Sequence, residues 1–187
     1  MFLLARHHSN RKTKARLVTL MDPHLKTLQQ EISSVISGLS LEQLSWHPPG
    51  KWCTTEILEH LYLTYTGTTK GFQRVLESGK ANVTPPTLKQ RGGALLVLGL
   101  SYLPSGREAP PMARPRGLPP EKVRAEIESK IAEMDAILAT CETKFGVSTK
   151  VLDHVILGPL TIAQWRKFHL VHGRHHIRQI VLLRSRL

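Results

Sequence analysis

The sequence predicts an all-α protein, a four-helix bundle. Three observations point to it. Apolar residues recur at three- and four-residue spacing through four long stretches, the mark of helices that bury one face. No stretch alternates apolar and polar residues as a half-buried strand would, and no internal repeat is present. Prolines and glycines concentrate between Gly79 and Pro120, a length that suits a crossover connection in a bundle better than a hairpin loop. At 187 residues the chain suits one domain with a real core.

The folded part is expected to start at Met21-Asp22-Pro23, with Asp22 as N-cap and Pro23 at the first helical position. Residues 1–20 are then a basic, disordered extension and 21–187 the helical domain. The first helix runs to about Ser37, with Leu25, Leu28, Ile32, Val35 and Ile36 inward. "LSLEQLSWHPPGKW" reads as a turn-rich connection. A second helix begins near Cys53 and continues to about Ser78, and its inward stripe includes His60, with Gly67 and Gly71 as places of close approach. A short helix is expected around Lys89–Leu100, followed by the extended "PSGREAPPMARPRGLPP". Pro119-Pro120 open a helix that turns Val123, Ile127, Ile131, Met134 and Leu138 to one side. After a loop containing Gly146 and Gly158, Thr161 caps a last helix that runs almost to Leu187.

The net charge of +12 invites a nucleic-acid reading. Five of those charges sit on Arg6, Arg11, Lys12, Lys14 and Arg16, and the rest are spread out with no basic run interleaved with aromatics. A solvated basic surface accounts for them, and no nucleic-acid partner is expected. The apolar run Phe2–Ala5 is too short for a secretory signal, and Ala94–Leu103 is too short to span a bilayer. Two lone cysteines, Cys53 and Cys141, give neither a disulfide framework nor a metal pair. The expectation is a cytoplasmic protein without membrane contact, in which any metal relies on nitrogen and oxygen ligands.

Four of the ten histidines fall within "HLVHGRHH", His169 to His176. At 100° per residue, His169, His172 and His176 share a face with Ile162, Trp165, Ile180 and Leu183. Lys167, Arg174 and Arg178 gather on the opposite face, and His175 lies on the flank. Buried imidazoles need a hydrogen bond or a Lewis acid. His172 and His176, one turn apart, can reach one ion. That spacing is frequent by chance, and the alternative for the pair is a polar patch on a surface helix. His60 alone would be a satisfied core histidine. Together they make a three-nitrogen site with open positions, the pattern of a catalytic metal. His169 is expected beside the ligands as a proton carrier, and Gln179 could orient one of them. His47 and His154 read as turn or surface residues, and His7 and His8 as solvated tail.

"WHPPGKWCTTEILEHL" followed by "GPLTIAQWRKFHLVHGRHHIRQI" resembles the DinB-like superfamily, over Met21 to about Leu187. The resemblance implies a bundle with up-down-down-up topology and a long crossover, often a homodimer. It also implies a divalent metal on three histidines, which by motif are His60, His172 and His176. One departure stands out: Cys53 occupies the place of a serine helix cap ahead of Glu56. A thiol caps poorly, so the expectation is a less firm helix start, or a cap by Thr54. The resemblance further implies a metal-dependent thiol S-transferase, using a low-molecular-weight thiol such as bacillithiol, mycothiol or glutathione on a small-molecule electrophile. Zinc, nickel, iron or manganese would all suit the ligands. Hydrolysis by activated water, and ligand binding without catalysis, are the other expectations.

Overall fold

A computed structural model of the chain describes residues 20–104, 106 and 108–187. The basic extension expected over residues 1–20 lies outside the described residues except for Leu20. The protein is mostly helical, with one small sheet. Its elements are α1 (Pro23–Ile36), α2 (Leu41–Ser45), α3 (Thr54–Ser78), α4 (Leu88–Ala94), α5 (Pro120–Phe145), β1 (Lys150–His154), β2 (Gly158–Thr161) and α6 (Ile162–Arg184).

The long helices start where their caps dictate. The Asp22 carboxylate accepts the His24 N–H at 2.9 Å, and Pro23 opens α1. Cys53 itself caps α3: its Sγ accepts the Glu56 N–H at 3.5 Å, while Glu56 accepts the Cys53 N–H at 2.8 Å. The thiol therefore takes the cap itself, where a less firm start or a cap by Thr54 was expected. The Glu56 half of this reciprocal box compensates for the weak sulfur acceptor. Thr161 and Gln164 form the same kind of box at α6. Leu25, Leu28 and Ile32 of α1, Leu61, Tyr65 and Phe72 of α3, and Ile127, Ile131 and Leu138 of α5 are fully buried. α3 packs chiefly on α5, and α1 on α6. Among the described residues, no helix is long and apolar enough to cross a membrane.

Two expectations need correction. The loop before α6 contains the antiparallel hairpin β1–β2, in which Leu152 faces Leu160 and His154 faces Gly158. Its strands are five and four residues long, and Gly158, Pro159 and Leu160 are all buried, so the sequence shows no period-two pattern. Asn82 pairs with β1 on its other side, which ties the start of the crossover to the hairpin. The turn-rich connection also contains the one-turn helix α2, made by a Ser40/Gln43 capping box. The short helix expected around Lys89–Leu100 is present as α4, continued by a π turn over Leu95–Gly99.

Two further features position α6. A Cβ at Gly173 would overlap Leu28, so α1 and α6 approach closely at this glycine. Arg166, buried on α6, reaches Asp135 at 3.3 Å, Glu142 at 2.7 Å and Asp22 at 3.6 Å, which joins α6 to α5 and to the cap of α1. Gly71 receives Leu152 of β1 as a close neighbour, whereas Gly67 faces open space.

Candidate metal centre

His60 comes from the second turn of α3, and His172 and His176 from the middle of α6. All three are buried. Their ring nitrogens converge: His172 Nε2 lies 3.2 Å from His60 Nε2 and 3.1 Å from His176 Nε2, and one ligand atom from each residue falls within 4.8 Å of the others. The structure thus brings together the three residues that sequence spacing selected.

The other ring nitrogens fix which atoms face inward. His60 Nδ1 donates to the Ala113 carbonyl at 2.8 Å, and His176 Nδ1 donates to Gln179 Oε1 at 2.8 Å. With the hydrogens on Nδ1, both Nε2 atoms turn lone pairs toward His172. Burial lowers the pKa of all three rings, reinforced for His172 and His176 by their neighbouring imidazoles. His176 is brought to about 3 and His172 well below its ordinary value. Neutral rings at neutral pH leave lone pairs opposed at hydrogen-bond distance. A proton on His172 Nε2 can be shared between two acceptors only imperfectly, and His172 Nδ1 is buried without a partner. A cation satisfies all three nitrogens at once. Zn–N bonds of about 2.0–2.1 Å in a tetrahedron place nitrogens about 3.3 Å apart, close to the two separations from His172 Nε2. The three buried histidines could hold a metal ion.

Aromatic rings enclose the cluster. Phe168 stacks on His172 at 5.4 Å with 10° between planes, and Trp52 lies 5.4 Å from His60. Gln179, which accepts from His176, also donates to His175 Nε2 at 3.3 Å; His175 is half-buried on the flank, as its place on the helical wheel predicts.

His169 lies outside the converging group. It is fully buried, and its Nε2 meets the Thr68 hydroxyl at 3.2 Å while its Nδ1 has no partner. Burial lowers its pKa to about 3. His47 is exposed, as expected, whereas His154 is half-buried. It ends β1, its ring packs 4.2 Å from Phe168, and its Nδ1 accepts the N–H groups of Ile156 and Leu157. The sequence reading missed Ala113 and Glu59. The Ala113 carbonyl orients His60, and Glu59 accepts the backbone N–H groups of Arg116, Gly117 and Leu118. A main-chain carbonyl has no residue-type signature, so only the neighbouring glutamate in "LEHL" was there to be noticed.

The model of a family described as "Protein of unknown function (DUF1569)" matches residues 18–182. No curated protein and no solved structure matches the chain. This match overturns the expected membership of the DinB-like superfamily. The motifs behind that resemblance are short, whereas the matching model spans nearly the whole chain. The chain belongs to the DUF1569 family.

Proposed function

We propose that the chain binds one divalent transition-metal ion through His60, His172 and His176 and acts as a thiol S-transferase on a small electrophile. The convergence of three buried imidazoles, with His172 Nε2 3.2 Å from His60 Nε2 and 3.1 Å from His176 Nε2, supports this reading. When bound, an ion held by three neutral imidazoles keeps its full charge and acidifies a thiol that enters its remaining position. The chain's own residues supply the rest. Ala113 and Gln179 hold two ligand rings in the productive tautomer, and Phe168 and Trp52 keep the walls apolar. In the transfer a sulfur–carbon bond forms, the bond from carbon to its leaving group breaks, and the thiol proton is released. His169 Nδ1 is assigned to receive that proton. Its burial works against the role by holding the ring neutral down to about pH 3, so full turnover by His169→Gln removes it from the mechanism.

In the same reading, α1, α3, α5 and α6 form an up-down-down-up bundle with residues 79–119 as crossover, supported by the pairing of α3 with α5 and of α1 with α6. Two chains pair as a homodimer, and the exposed Leu95, Leu100, Val181 and Leu182 offer apolar surface for it.

Elemental analysis of protein purified without a metal-affinity tag tests the centre. The expected result is about one ion per chain, lost in His60→Ala and His176→Ala with helical circular dichroism intact. Turnover of haloalkanes or epoxides, with and without glutathione or cysteine, tests the reaction. Turnover that ignores thiol makes the protein a hydrolase instead.

A further inference from the structure

Glu59 precedes His60 on α3 and is fully buried. Among the described residues it makes no ion pair. Its carboxylate accepts three successive backbone N–H groups instead: Arg116 at 2.7 Å, Gly117 at 3.1 Å and Leu118 at 3.0 Å. Gly117, at φ +85°, supplies the left-handed step that turns consecutive amides toward one anion. A buried carboxylate is costly unless its oxygens are hydrogen-bonded, and here both are, so the contact is a clamp.

The clamp acts on a stiff strap. Pro110, Pro111, Pro115, Pro119 and Pro120 restrict its backbone, and a 3-10 turn covers Pro111–Ala113. Three residues before the clamped amides, the Ala113 carbonyl receives His60 Nδ1 at 2.8 Å. Two adjacent residues of α3 therefore grip one strap at two points. Movement at 116–118 reaches Ala113 across only Arg114 and Pro115.

We propose that Glu59 is a positioning residue of the metal centre. By clamping residues 116–118 it fixes the Ala113 carbonyl, and the carbonyl keeps His60 in the Nδ1–H tautomer with the Nε2 lone pair turned to His172 and His176. The part concerning metal rests on the function proposed above; the tautomer part does not. Ion binding at His60 and closure of the clamp then favour each other by the same factor.

The test compares the unsubstituted full chain with Glu59→Gln and Gly117→Ala. Glu59→Gln turns an amide N–H2 toward a backbone donor. Gly117→Ala loosens the strap from its far side, at an exposed position where a Cβ meets nothing within 4 Å but the backbone conformation is unfavourable. In metal-free protein, ring ¹⁵N shifts of His60 are expected to report one Nδ1–H tautomer, and both variants to move toward a mixture. By chelator competition both variants bind zinc more weakly, Glu59→Gln by about 10–100-fold. In the unsubstituted chain zinc slows amide exchange at 116–118, and in His60→Ala it does not. Unchanged tautomer and unchanged zinc affinity in folded variants overturn the proposal. Should Glu59→Gln fail to fold, Gly117→Ala decides alone. A tautomer shift in a chain that binds no zinc leaves Glu59's role standing and removes the metal reading.

Discussion

His154 shows how much a single ring can be misjudged from its neighbours in sequence. Its ring packs against Trp165 and Phe168, and burial lowers its pKa to about 4; His169, fully enclosed, is lowered to about 3. In the unfolded chain both rings take up a proton near pH 6.5. A folded-state pKa below the unfolded one means that the contribution to stability is complete above pH 6.5 and is lost as pH falls from there through the folded values. Urea unfolding with a chelator present is expected to show a lower midpoint at pH 5 than at pH 7. His154→Asn, which keeps a side-chain acceptor for the Ile156 and Leu157 N–H groups, narrows that difference, and an unchanged difference removes His154 from the acid response. His60, His172 and His176 were legible because each lies on the apolar face of a helix whose period the sequence displays. His154 was not, because its strand shows no period and its burial comes from aromatic residues of α6.

The long helices could be read from their caps and stripes, and even the unpromising Cys53 cap stands where Glu56 completes it. The hairpin and α2 could not, since elements of four or five residues hold too few positions to establish a period. The closeness of α1 and α6 belongs to this scale as well. Gly173 lies between two of the candidate ligands, and Leu28 occupies the space its side chain would need. Gly173→Ala is expected to destabilise the protein by about 2 kcal/mol in urea unfolding, within the range for overpacked cores. The double variant Leu28→Ala/Gly173→Ala should lose clearly less than the sum of the single losses, because removing the leucine frees the space. Strict additivity would place the strain elsewhere. Because the contact sets how deeply α6 seats, the single variant should also loosen zinc binding.

Across the whole chain, the candidate ligands His60 and His172 are 112 residues apart in sequence. A ligand that binds only the assembled fold stabilises it by mass action, by about 2.7 kcal/mol at one hundred times its dissociation constant. Thermal unfolding is expected to shift upward as zinc is added, and His60→Ala to abolish most of the shift although His172 and His176 remain. A shift that survives this substitution means that zinc binds elsewhere. The overall helical class was legible in the sequence because helices are local. Family membership was not, because a handful of ligand positions says little about the rest of a chain. The wide separation of the imidazoles also sets an order of events during synthesis. A ribosome that has delivered the chain only as far as β2 has made one of the three imidazoles, so an ion that needs all three could not template the early fold, and such a site is complete only after the last helix has emerged and docked.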